Sequence, residues 1–183
     1  MGPVSSVLSS LSMRRLWLLA ALLIVAPTTA AAEQLPVTAD GGVYSVPVHI
    51  NSVLRMDMVL DTGAAYVMIP ADVALTLKRT GTLTTAQERE PQDFDLADGS
   101  VVKQRRVVLC SLQIGTQQLR DVEAVVGGLR SPLLLGQSAL RRLEPWRLDT
   151  AGGHLILLES DGYASGRDAG ETNSACAAHD LPG

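Results

Sequence analysis

The sequence predicts a single, mostly β domain carrying one or two short helices. Apolar and polar residues alternate in short runs, as in Tyr44, Val46, Val48 and Ile50 set between Ser45, Pro47 and His49. Period two is the spacing of a half-buried strand. Turn signals separate the runs, among them Asp40-Gly41-Gly42, Ala97-Asp98-Gly99 and Ala151-Gly152-Gly153. Helical spacing is confined to brief stretches, and no internal repeat is present.

The first 32 residues read as an export signal. Arg14 and Arg15 precede the apolar run Leu16 to Ala26, and Pro27 to Ala32 supply the small residues of a cleavage site. That run is shorter than the about 20 apolar residues a membrane span needs. Cleavage near Glu33 and release into the periplasm is therefore expected, with a retained anchor facing the periplasm as the other outcome. A membrane is a partner only if the segment is kept. Residues 33–158 follow as one domain large enough for its own core. Residues 159–183 form an acidic tail of Gly, Ala, Ser, Asp and Asn character, expected to be disordered.

The chain carries a net charge of −4 and only 3% aromatic residues, and it has no basic patch. That composition argues against nucleic acid as a partner. His49, His154 and His179 are scattered and no Cys/His spacing fits a zinc site, so neither metal nor cofactor is expected. Cys110 falls in an apolar strand pattern and Cys176 in the polar tail. The simpler expectation is a buried free thiol and a tail thiol; the alternative, in an oxidising compartment, is a bridge pinning the tail to the body.

Taken in order, Leu35 to Ile50 reads as a hairpin turning at Asp40-Gly41-Gly42, and Pro47 marks an edge or an unpaired position. Asn51-Ser52 breaks the run before a strand over Met56 to Leu60. Tyr66 to Ile69 resumes the apolar chain, and Ala71 to Arg79 has Val73, Ala74 and Leu77 on one helical face, closed by Gly81. Residues 80–93 lack an apolar period and are expected to be a loop. Phe94 to Leu96 and Val101-Val102 flank Asp98-Gly99 as a hairpin. Val107 to Ile114 is expected to place Val108, Cys110, Leu112 and Ile114 on one side, and Leu119 to Val126 is the next strand. Leu133-Leu134-Leu135 reads as a strand buried on both faces, Gln137 to Leu143 as a helix with Ala139, Leu140 and Leu143 inward, and Trp146 to Leu158 as a last hairpin.

Chemistry concentrates in Met58-Val59-Leu60-Asp61-Thr62-Gly63-Ala64. A carboxylate joined to an apolar strand by a tight turn is costly unless it has partners or a use. Gly63 allows close approach of another backbone or a ligand, and Thr62 offers a hydroxyl. Asp61 is the candidate catalytic group.

This apolar-apolar-Asp-Thr-Gly-Ala turn at 59–64 resembles the active-site turn of retropepsin-like aspartic proteases. Leu133-Leu134-Leu135-Gly136 resembles the second signature of that family, and the Ala97-Asp98-Gly99 hairpin stands in the place of its flap. Gly136 to Leu140 and Trp146 to Asp149 are similar to bacterial exported members. The resemblance covers residues 35–158 and implies a single-lobe acid-protease barrel, active as a two-fold dimer. It assigns Asp61 as acid/base, Thr62 as a hydroxyl locking the two loops together, Gly63 as the residue that admits substrate, and Ala97, Asp98 and Gly99 as the flap tip over an extended peptide. It requires no cofactor.

Only one Asp-Thr-Gly is present, so the second carboxylate must come from another copy of the chain across a two-fold axis. Carboxylates about 3 Å apart cannot both ionise, and the pair holds one proton. The ionised member would take a proton from water as it attacks the peptide carbonyl, while the protonated member would stabilise the oxyanion. Asp149-Thr150-Ala151-Gly152 echoes the motif but has alanine in the glycine position, and it reads as a plain hairpin turn. Ala65 stands where many relatives carry a small hydroxyl or acidic residue that steadies the loop. That departure keeps open a second reading, a peptide-binding module on the same fold that does not cut. A third is an envelope scaffold dimer held by an uncleaved Leu16–Ala26 segment.

Overall fold

A computed structural model describes residues 32–95, 99–143, 145–158 and Cys176. The export-signal region and almost all of the acidic tail, like Ala97 and Asp98 of the expected flap tip, lie outside the described residues. Eleven strands and two short helices are present among those described, and none of the helices is long and apolar enough to cross a membrane.

Strand β1 (Glu33–Pro36) leads into β2 (Thr38–Asp40) and, through Gly41 and Gly42 at positive φ, into β3 (Val43–Ile50). Asn51 (φ 47) and Ser52 (φ 59) turn the chain into β4 (Leu54–Leu60). Two consecutive left-handed residues are the mark of a tight hairpin turn whose twist matches the strands. Asn51 is buried and fastens the turn: its amide donates to the Thr82 carbonyl at 2.7 Å and its side-chain oxygen accepts from Ser111 N at 3.0 Å. Pro47 lies in the gap between the stretch of β3 that pairs with β2, residues 43–45, and the stretch at 49–50 that meets a later strand. The missing N–H is tolerated there.

After the Asp61 turn come β5 (Val67–Ile69) and α1 (Ala71–Arg79), whose Val73, Ala74 and Leu77 are buried as the spacing predicts. Gly81 (φ 74) ends the helix. The expected loop at 80–93 is only half a loop. After a 3₁₀ turn at Thr85–Gln87, the chain enters β6 (Glu88–Asp95), which pairs with β7 (Val101–Ile114) from Glu88↔Val107 to Asp95↔Val101. Residues 88–93 show no apolar period because they are exposed or nearly so on a hairpin standing off the core, and backbone pairing rather than burial makes them a strand. Lys78 and Glu88 form an ion pair tying the end of α1 to the start of β6. The hydrogen bond and charge of Lys78 hold the Glu88 carboxyl below the usual carboxylate range.

Strand β8 (Gln117–Val126) returns beside β7. The expectation that Val108, Cys110, Leu112 and Ile114 share a face is corrected by the core: Val107 and Leu109 enter it, then Leu112 and Ile114. Its partner changes parity at the same level, with Val126, Ala124 and Val122 followed by Leu119, and Asp121 there has φ 51. The hairpin coils sharply at this point, so its two halves serve different walls.

Strand β9 (Leu134–Leu135) runs parallel to β4 and antiparallel to β5, and β5 runs parallel to β8. With β3 also pairing β7, the ring β3-β4-β9-β5-β8-β7 closes into a barrel. Val46, Val48, Ile50, Met58, Leu109, Leu112, Ile114 and Leu135 fill its interior. Helix α2 (Gln137–Leu140) is shorter than the expected 137–143, though Leu143 is still buried. Strands β10 (Trp146–Asp149) and β11 (His154–Leu157) form the final hairpin, and β1 pairs with the free edge of β11. Gly152 N donates to Asp149 Oδ1 at 3.0 Å within that turn, as expected of a plain hairpin.

The free-thiol expectation is overturned. Cys110 is joined to Cys176 across 66 residues of chain. On the face of β7 turned from the core, Cys110 is buried beneath Gln87, whose side-chain amide lies 3.1 Å from its sulfur. Sequence spacing could not bring these cysteines together, because they lie 66 residues apart and nothing local relates them. Closing a loop of this length stabilises by about 4 kcal/mol in the chain-entropy model. Cys176→Ser should therefore lower the urea midpoint and melting temperature clearly, and a non-reducing peptide map of the wild type should contain the Cys110–Cys176 pair; an unchanged midpoint would show that the bridge does not hold the fold.

Candidate active site

Strand β9 lies between β4 and β5, so the chain that leaves β4 at Leu60 must pass over the end of β9 to reach β5. Residues 61–66 make that crossing. Asp61 N donates to Leu135 O at 3.1 Å, extending the β4–β9 ladder by one bond. Beyond it, Gln137 N donates to Ala64 O at 2.8 Å and Ser138 N to Ala65 O at 3.0 Å. The first amides of α2, which have no partner within their own helix, thus hold the loop. Gly136 is required at the crossing, since a Cβ there would stand 2.2 Å from Tyr66 O and 2.8 Å from Ala64 O.

Within the loop Asp61 Oδ1 accepts from Gly63 N at 2.9 Å and from Ala64 N at 3.1 Å. These two bonds to one oxygen fix the orientation of the carboxylate. Asp61 is half-buried, and Thr62 and Gly63 are exposed. Gly63 has its Cβ position 3.3 Å from Asp61 Oδ1, so a side chain there would crowd the carboxylate. The expected triplet Asp61, Thr62 and Gly63 is one rigid turn presenting one carboxylate and one hydroxyl to solvent.

Two residues that position this turn were missed by sequence reasoning. The Gln137 side-chain amide donates to Thr62 O at 2.8 Å. Ser138 Oγ accepts from Val67 N at 2.9 Å and donates to Glu123 O at 2.7 Å, bridging loop and β8. Their signal is the Gly136 to Leu140 stretch, which the sequence offered as a family likeness and a helix start, with no role in holding the turn. Ala65 is exposed and contributes only its backbone; the steadying that its side chain cannot give comes from Gln137 and Ser138.

The β6–β7 hairpin reaches the turn through an aromatic contact. The Tyr66 ring meets the Phe94 ring edge-on, with centroids 5.6 Å apart, and the Arg106 guanidinium lies 5.4 Å from the Tyr66 centroid. Of the expected flap tip, Gly99 is described, exposed and at φ 81; a glycine suits that conformation.

Comparison with known proteins agrees with this geometry. Residues 46–142 match the family model described as "gag-polyprotein putative aspartyl protease". No curated protein matches significantly. Among solved structures, the fold is similar to that of a retropepsin-like aspartic protease from Rickettsia conorii, at 23% identity and a TM-score of 0.52, with 69% of this chain and 98% of that chain covered. The matched span runs from β3 through α2 and so contains the Asp61 turn, the hairpin and the crossing strand. With a family model matching more than half its length and a barrel of this topology, the chain belongs to the retropepsin-like aspartyl proteases.

Proposed function

We propose that this protein is an aspartic endopeptidase that acts as a homodimer, each copy contributing Asp61 to one water molecule. The observation that carries the reading is the carboxylate itself. It is oriented by two backbone amides through one oxygen, and it sits in a half-buried, solvent-reached turn that Leu135, Gln137 and Ser138 hold rigid. A structural aspartate capping its own turn would need only the Gly63 and Ala64 bonds. The additional strapping from β9 and α2 is what a group must have if it is to meet a twin within hydrogen-bond distance.

One turn of this kind supplies one carboxylate, and proton transfer to and from water needs an ionised and a protonated partner. A second copy brings the missing group across a two-fold axis, and Thr62 is the residue that meets its counterpart there, a role that its exposure supports. The ionised Asp61 removes a proton from water as oxygen attacks the peptide carbonyl; the protonated Asp61 donates to the carbonyl oxygen. Collapse of the tetrahedral species then transfers a proton to the leaving nitrogen. Extended peptide, pairing through its backbone with the β6–β7 hairpin, is the substrate class. Export to the periplasm is part of the proposal, supported by the Arg14-Arg15 and Leu16–Ala26 pattern and by the Cys110–Cys176 bridge, since disulfides persist in oxidising compartments.

Asp61→Asn keeps both oriented hydrogen bonds and should abolish cleavage of a peptide library while leaving melting temperature and dimer content unchanged; cleavage retained in this variant would place the chemistry elsewhere, and a wild type that binds peptides without cutting them would be a binding module. Serial dilution should lower specific activity in step with dimer content measured by analytical ultracentrifugation. A monomer of full specific activity would rule out a site shared between copies.

A further inference from the structure

The Tyr66 backbone is held on both flanks. Ala64 O and Ala65 O accept from the first amides of α2, Val67 N donates to Ser138 Oγ, and Tyr66 O lies directly over Gly136. A residue so placed cannot shift without the crossing itself shifting. Its side chain is only half-buried and meets both strands of the hairpin: Phe94 of β6 edge-on and Arg106 of β7 over the ring face.

Arg106 closes a circuit. Its Nη2 donates to Glu123 Oε1 at 3.0 Å, while its Nε is buried without a hydrogen-bond partner. A guanidinium partly withdrawn from water is compensated by an aromatic face, and the Tyr66 ring is the face it has. The main chain of Glu123 accepts from Ser138 Oγ, which in turn accepts from Val67 N, the residue after Tyr66. Loop, α2, β8, β7 and the tyrosine ring form one connected loop of contacts. Residues 88–93, by contrast, are exposed except for half-buried Arg89 and give the hairpin no core of its own.

We propose that Tyr66 is a positioning residue, a fixed post that sets the height of the β6–β7 hairpin relative to the Asp61 turn through Phe94 and Arg106. This rests on the peptidase reading above for its consequence in catalysis, though not for its consequence in dynamics. A hairpin already held at the correct height loses less conformational freedom when a peptide pairs with it. The post therefore contributes to substrate binding in ground state and transition state alike, which appears in KM and not in kcat. The Asp61 turn keeps its own straps and is untouched.

The test compares Tyr66→Phe, Tyr66→Leu, Phe94→Leu and the double leucine variant, using a fluorogenic peptide drawn from those the wild type cleaves. Edge-to-face aromatic pairs contribute modestly, so each single leucine variant should raise KM about three- to tenfold with kcat within about twofold. Tyr66→Phe retains the ring and should behave as wild type, and the double variant should be no worse than the singles. Hydrogen exchange on the uncleaved protein should quicken at residues 92–95 and 101–104 in the leucine variants while residues 58–61 keep their protection. Additive KM effects, a fall in kcat with KM unchanged, or unaltered hairpin exchange would each overturn the post. If no peptide is cleaved by the wild type the peptidase reading fails, and the exchange measurement still decides whether Tyr66 positions the hairpin.

Discussion

The Asp61 turn crosses over the end of a strand inserted between the two strands it connects, and the rest of the site depends on that crossing. Of the carbonyls in this short loop, only that of Asp61 accepts from within it, from Ala64 N at 3.4 Å, among the hydrogen bonds of the described residues. Here Ala64 and Ala65 are satisfied by the opening amides of α2, and Asp61 N by Leu135. The same arrangement explains the glycine at 136, where any side chain would meet the loop backbone. Rigidity of the carboxylate is thus a property of barrel topology. The turn supplies the carboxylate, and β9 with α2 hold it in place.

The Asp61 turn has the β6–β7 hairpin as a neighbour, through Tyr66 and Phe94. The β6–β7 hairpin leaves the barrel with its faces largely in solvent, so hydrophobic burial does not hold it. Three attachments act instead: the Lys78–Glu88 pair at its base, the continuation of β7 into the core, and the Tyr66, Phe94 and Arg106 contact beside the Asp61 turn. The exposed pair is weak on general grounds. Of these three, the aromatic contact is the attachment that refers the hairpin directly to the Asp61 turn.

Farther along, β7 and β8 change the face they turn to the core at the same level, beside Asp121 in the left-handed region. This coil allows the long strand β7 to pair with β6 at one end and with β3 at the other, closing the barrel. It also leaves Cys110 outside the core cluster yet buried, where the tail reaches it through Cys176. The bridge joins a strand continuous with the hairpin to a segment far beyond the last strand of the barrel.

Much of this was legible in the chain itself. Strand alternation in Tyr44 to Ile50, the helix face of Val73, Ala74 and Leu77, and the turns at Gly41-Gly42 and Gly152-Gly153 are local properties, decided by side-chain period and backbone freedom within a few residues. The Asp-Thr-Gly turn and Leu-Leu-Gly run were equally readable, because each is a contiguous motif with one purpose. What only the tertiary structure decided are relations between distant segments: the strand at 88–95, which exists because β7 pairs with it; the parity change at Cys110 and Asp121; the Cys110–Cys176 bond; and the support of the loop by Gln137 and Ser138 and of the hairpin by Tyr66. None of these carries a local signature, since a backbone ladder, a bridge or an aromatic contact takes its stabilisation from a partner that sequence spacing does not name.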